Sequence, residues 1–393
     1  MKSARRLVAA SALAAAAVAA LATPAFAHTS DHSYDRHQSE WHSDDFGRFD
    51  RGADHVVFVQ TDNPSGNAVV AYDRADNGTL TQAGTYPTGG SGGVLIGSVV
   101  DHLASQASLT YDDQHSLLFA VNAGSNTVSV FSVNGDRLAL QQVLPSYGEF
   151  PVSVAVHDDL VYVLNARAGG SVQGYGIFGG HVFPVGTNRA LGLNTALTPE
   201  FVNTPGQVAF SPDGSQLIVT TKANGSSIDV FRVGFFGALS SAVVNAEPGT
   251  VPFAVTFDGA GNLVVTEAGT NAVATFDLHY DGTVALLHSV PTNQTATCWI
   301  VGANGQFYAS NAGSASLTRV QSAPGDTLTV FGNTATDAGS VDAAISTHSH
   351  YLYVQTGANG IVDEFRINTD GSLGPIGSVT VANSVGGEGI VAI

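Results

Sequence analysis

Seven polar residues close short apolar runs, and they are the first candidates for chemistry. Thr61, Asn122, Asn165, Thr221, Glu267, Asn311 and Thr356 end stretches such as LLFAVN, LVYVLN and LYVQT. Two cations follow them closely, Arg167 and Lys222, and Gln207, Cys298, Asp342 and Glu388 open other apolar runs. An acid beside a cation can take a proton from water and stabilise a developing oxyanion, as opening an ester-like ring requires. Glu267, Glu388 or His102 would serve as base there, with Lys222 stabilising charge. Arg167, Gln207, Asn122, Asn165, Asn311 and Asp342 form the accompanying substrate-binding set.

Each residue also has a plainer role. The three asparagines precede Ala-Gly or Ala-x-Ala turns, where the side chain bonds local backbone. Glu267, Arg167 and Lys222 stand in adjacent repeats and can pair with one another. Asp101, His102 and Gln106 fall in a long loop over the same region, where solvation is the ordinary outcome. Cys298, next to Trp299 in an apolar run, reads as a buried thiol rather than a nucleophile. His348 and His350 flank a hairpin turn and are expected in solvent. No HExxH, GxSxG, P-loop or paired-cysteine pattern appears, so neither metal nor cofactor is expected.

The elements that position these residues are repeats. The unit is clearest in PGQVAFSPDGSQLIVTTKANGSSIDVFRV, residues 205–233. Ser211-Pro212-Asp213-Gly214 is a turn, with proline fixing one φ and glycine supplying a positive one. Asn224-Gly225 is a second turn signal, so the stretch reads as three strands. The seven polar residues are separated by 61, 43, 56, 46, 44 and 45 residues. That spacing is the period of four-stranded propeller blades. A short, weaker outer strand completes each unit. The two long gaps locate insertions at 87–105 and 176–204. The expected fold is all-β, a seven-bladed β-propeller spanning 55–393. Its first copy lacks an innermost strand, and the C-terminal EGIVAI lacks partners, so pairing them closes the ring.

The flanks differ in composition. Lys2, Arg5 and Arg6 precede an Ala/Val/Leu run that ends at Ala25-Phe26-Ala27, so residues 1–27 read as a secretory signal peptide and the chain as exported. Residues 28–54 are poor in aliphatics and read as a disordered His/Asp-rich linker. Its histidines, among them His28, His32, His37 and His42, read as a solvated tail rather than a metal site. The net charge of −18 disfavours nucleic acid and anionic membrane surfaces. A small-molecule or carbohydrate-like ligand, a monomeric state and no membrane span are the matching expectations. One cysteine permits no internal disulfide.

NAGSNTVSVF at 122–131, FPVSVAV at 150–156, AFSPDGSQLIVTTK at 209–222, TEAGTNAV at 266–273 and CWI at 298–300 resemble the seven-bladed lactonase-family propellers, closest to their secreted actinobacterial branch. That family includes 6-phosphogluconolactonases and the cyclase that forms a carboxymuconolactone. The resemblance implies a lactone hydrolase or cyclase-like activity at the mouth of the central channel. In those enzymes a Gly-Pro-Arg-His run opens the fourth blade's inner strand and Asn-Glu ends the next. Thr204-Pro205-Gly206-Gln207 and Thr220-Thr221-Lys222 stand there instead, so no catalytic residue transfers by motif. A non-catalytic extracellular or envelope-associated binding propeller is the alternative, and metal-assisted chemistry a third reading.

Overall fold

The computed structural model describes residues 55–323 and 327–393. The segments read as signal peptide and linker lie outside them. Among the described residues there are seven four-stranded antiparallel sheets. Blade 2 shows the pattern, with β4 (Leu109–Asp112), β5 (Leu117–Asn122), β6 (Thr127–Asn134) and β7 (Arg137–Pro145) in simple sequence order. Blades 3 to 7 repeat it over residues 151–190, 205–246, 252–291, 297–335 and 340–380.

Blade 1 is composite. β28 (Ile390–Ala392) is its innermost strand, beside β1 (Val56–Gln60), β2 (Ala68–Arg74) and β3 (Leu80–Pro87). Val57 pairs with Ala392, Phe58 with Val391 and Val59 with Ile390. This is the expected closure. Ile393 N donates to Val56 O at 2.8 Å, and the Arg74 guanidinium donates to Ile393 O at 2.8 Å.

Second strands are buried on both faces because each blade is sandwiched between two others. Every residue of β5 and of β13 (Gln216–Thr221) is buried. Apolar contacts therefore run between blades: Ile218 and Val230 of blade 4 pack with Val265 and Ala274 of blade 5. Hydroxyls tie the same interfaces. Tyr162, Tyr308 and Tyr353 stand at one position of the repeat. They donate to Gly237 O, Gly371 O and Gly78 O of the next blade at 2.6–2.7 Å. The SPDG turn forms as expected: Gly214 has φ 69° and its N–H donates to Ser211 O at 2.8 Å.

Two expectations need correction. Outer strands are short only in blade 4, where Val243–Ala246 has 4 residues. β7 has 9 residues, β11 (His181–Ala190) has 10 and β23 (Thr327–Ala335) has 9. Their polar residues hide them from a hydrophobic pattern, but a ladder needs only backbone partners and tolerates one wet face. The second insertion also begins later, since Gly176 belongs to the β10–β11 hairpin, with β10 spanning Ser171–Phe178. The additional chain is 191–204.

Candidate functional site: the axial mouth

The second strands of all blades end on one face, and two insertions meet over it. Residues 88–108, between β3 and β4 (blades 1 and 2), cross the axis rather than looping outward. His102 N donates to Gly386 O at 2.9 Å near the closing strand. Gln106 N donates to Gly206 O of blade 4 at 2.9 Å, and the Gln106 side chain reaches Ile300 O of blade 6 at 3.4 Å. Ser105 Oγ donates to Val152 O of blade 3 at 2.9 Å. Asp101, Leu103, Ala104, Ser105 and Gln106 are all buried. The channel mouth is thus filled by the chain itself.

The 191–204 insertion latches this plug. Arg167 grips Glu200 with two parallel bonds, 2.7 and 3.0 Å, and also donates to Val94 O at 3.2 Å. Glu200 in turn accepts Ile96 N at 2.7 Å. The Arg167 guanidinium packs 4.2 Å from the Phe150 ring centroid. The bonds from Arg167 hold the Glu200 carboxyl below its usual pKa. Arg167 therefore pairs with Glu200, not with Glu267 as the repeat spacing allowed.

Beneath the plug lies a charged cluster. Lys222, 1% exposed, donates from Nζ to Ala104 O and sits 5.4 Å from the Phe253 ring. Burial lowers its pKa to about 7, against the opposing pull of Asp101, Cys298 and Glu388. Four carboxylates share this interior, all at 0% exposure: Asp62, Asp101, Asp342 and Glu388. Burial raises Asp62 to about 7 and pushes the others well above the usual range, mutual repulsion adding to the effect in Glu388. Glu388 N donates to Asp62 at 2.7 Å, Gly389 N to Asp342 at 2.7 Å and Ser108 N to Glu388 at 3.3 Å. Burying charge at this density is costly, and such clusters concentrate at functional sites.

Four glutamines complete the lining, each anchored at one end only. Gln355 donates to Gln60 O at 3.1 Å, Gln60 donates to Asp62, and Gln207 Oε1 accepts Val255 N at 2.6 Å. These partners, with Ile300 O for Gln106, fix which end of each amide is which. The other ends are buried without hydrogen-bond partners: Oε1 of Gln60, Gln106 and Gln355, and Nε2 of Gln207.

Lys222, Glu388, Asp342 and Gln207 are therefore brought together at the axis. His102 is in the plug, its ring against Gly386 and its pKa lowered by burial. Glu267 is buried inside blade 5, accepting Ser289 Oγ at 3.1 Å and Thr270 Oγ1 at 3.2 Å. Asn122 donates to Thr127 and Ser129, Asn165 to Ser146 O, and Asn311 to Ser316 and Thr318. Asn122 and Asn311 thus fasten strands within blades 2 and 6, and Asn165 holds blade 3 to the link that enters it from blade 2. Gln60 and Gln355 escaped notice although they precede Thr61 and Thr356 directly. Alternation along a strand turns such neighbours to the opposite face. His348 and His350 are exposed, as expected.

Two cavities lie off the axis. One, of about 150 Å³, borders Thr61, Asn63 and Asn383; the other, of about 250 Å³, borders Tyr162, Arg189 and Leu239. Among the described residues no helix is long and apolar enough to cross a membrane.

No protein-family model matches the chain, and no curated protein matches it. Solved structures do. A Bacteroides fragilis protein provisionally named a 6-phosphogluconolactonase superposes with TM-score 0.68 at 18% identity, over 88% of this chain and 99% of its own. The periplasmic gluconolactonase of Pseudomonas aeruginosa gives TM-score 0.69 at 16% identity, over 84% and 97%. A streptogramin B lyase is more distant, with TM-score 0.52 at 14% identity over 72% and 86%. At these identities the likeness shows the fold: a seven-bladed propeller of the kind lactonases use.

Proposed function

We propose that this chain is an exported lactone-processing enzyme whose reaction centre lies at the axial mouth beneath residues 88–108. The observation that carries this reading is the burial of Lys222 and Glu388 beneath that segment, against Asp101 on its underside. The gluconolactonase-like fold agrees with it, and the composition of residues 1–27 supports export. In hydrolysis, a carboxylate takes a proton from water as the oxygen attacks the lactone carbonyl carbon. The Lys222 ammonium stabilises the oxyanion. The ring C–O bond then breaks, and the released alkoxide takes a proton from the protonated acid.

Entry requires residues 88–108 to swing away, so the latch at Arg167 and Glu200 governs access. The test is turnover of aldonolactones and simpler lactones by the mature protein. Lys222→Met and Glu388→Gln should each lower kcat/KM by roughly 10²-fold or more. Turnover equal to wild type in both variants would remove the site.

The filled mouth favours a second reading, a binding propeller without turnover. Calorimetric binding of a sugar lactone, with no product formed, would select it.

A further inference from the structure

Four buried carboxylates face one buried ammonium at the axis: Asp62, Asp101, Asp342 and Glu388 against Lys222. Two neutral acceptors adjoin them. Gln60 and Gln355 are each 0% exposed, and each leaves its Oε1 without a hydrogen-bond partner. Neither amide can be reversed to remove the problem. Gln355 Nε2 is committed to the carbonyl of Gln60, and Gln60 Nε2 to Asp62 and, at 3.3 Å, to Ser108. Ser108 N and Glu388 close the circuit at 3.3 Å, and Glu388 N returns to Asp62. These residues belong to one connected patch where blades 7, 1 and 2 meet.

We infer that this patch is a cation site for a hard, oxygen-loving ion of the calcium type, held by Gln60 Oε1, Gln355 Oε1, Asp62 and Glu388. Among the described residues no three acidic, histidine or cysteine groups converge on one point. The shell is accordingly mixed, carboxylates with amide oxygens. Calcium accepts such sets, because it takes six to eight oxygens in flexible geometry and does not discriminate against neutral carbonyls. Magnesium, which needs near-ideal octahedral geometry at short distances, suits such a mixed and irregular set less well. The ion neutralises the acid surplus and supplies the partner that both amides lack. Water alone can fill an orphan bond, but it leaves the surplus charge uncompensated. The inference concerns the ring's closure and stands whether or not the mouth is a lactonase site.

The test uses the full exported chain, stripped with chelator and desalted. Calcium chloride at about 100 times its Kd should raise the thermal midpoint by roughly 3–4 °C, rising further with the logarithm of its concentration. Magnesium chloride and ionic-strength-matched sodium chloride should give less than half that shift. Elemental analysis of protein purified without chelator should find one calcium per chain. Asp62→Asn and Gln355→Leu should each weaken calcium affinity at least tenfold. A midpoint unmoved by calcium, with no metal retained, overturns the proposal, and this result needs no variant to fold. Calcium binding that both folded variants leave intact also overturns it, because the ion would then sit elsewhere, as among the acids of residues 28–54.

Discussion

Asp62 and Lys222 titrate in opposite senses, and together they shape the stability curve. Asp62 is raised from its ordinary value of 3.8 to about 7. Between those values the folded chain keeps a proton that the unfolded chain has lost, so stability falls as pH rises through that window. Lys222 is lowered from 10.5 to about 7. Between 7 and 10.5 the unfolded chain holds the extra proton, so stability rises with pH. The thermal midpoint of chelator-treated protein should therefore fall as pH rises from 3.8 towards neutrality, with Asp101, Asp342 and Glu388 adding to the fall and Lys222 opposing it above about 7. Asp62→Asn should make the fall shallower, and Lys222→Met should make the midpoint fall more steeply above pH 7 than in wild type. Profiles of both variants that superpose on that of wild type would contradict these assignments. Lys222 and Glu388 were legible as site candidates from their places in the repeat. Asp62 and Gln60 were not, because nothing local distinguishes a lumen-facing polar residue from one that ends a strand. Only closure of the ring by β28 brings Glu388 onto Asp62.

At the scale of elements, two insertions separated by about 100 residues form one device. The lengths of the gaps revealed both insertions, but not that the second fastens the first. The signal is distributed over Arg167, Glu200 and the backbone of Ile96, which share no motif. Glu200→Ala removes the acceptor of both the guanidinium and Ile96 N, and the loss of these partly exposed bonds costs about 1 kcal/mol. Amide exchange at residues 95–104 should then quicken about fivefold or more while blade cores keep wild-type protection. Exchange that quickens equally throughout the molecule would mean that the pair supports the fold and not the plug. The outer strands carry the complementary lesson: hydrophobic pattern undervalued them because backbone pairing, which it does not report, holds them.

At the scale of the molecule, the blade count and the closure were readable because both follow from a period. Closure is also the shortest strand pairing among the described residues, with three residue pairs joining β28 to β1. Deleting residues 389–393 removes that strand, uncovers the edge of β1 and leaves Gln60 N without Gly389 O, its acceptor at 2.7 Å. The deletion should lower the thermal midpoint by roughly 5 °C or more and promote aggregation, read by calorimetry and light scattering. A truncated chain as stable and monodisperse as wild type would show that the ring does not depend on this joint.

The plug has one more consequence. The chain's only cysteine, Cys298, opens the inner strand of blade 6 at 0% exposure, and both Lys222 and Asp101 act on its thiol. A thiol in that place is a clock. A disulfide reagent in solution reaches it only while the mouth stands open, so the labelling rate of the native protein counts openings. With reagent in excess, that rate should plateau at the opening frequency. A tight ligand under the plug should slow it, and Glu200→Ala should speed it, giving a direct reading of the gate even before any substrate is known.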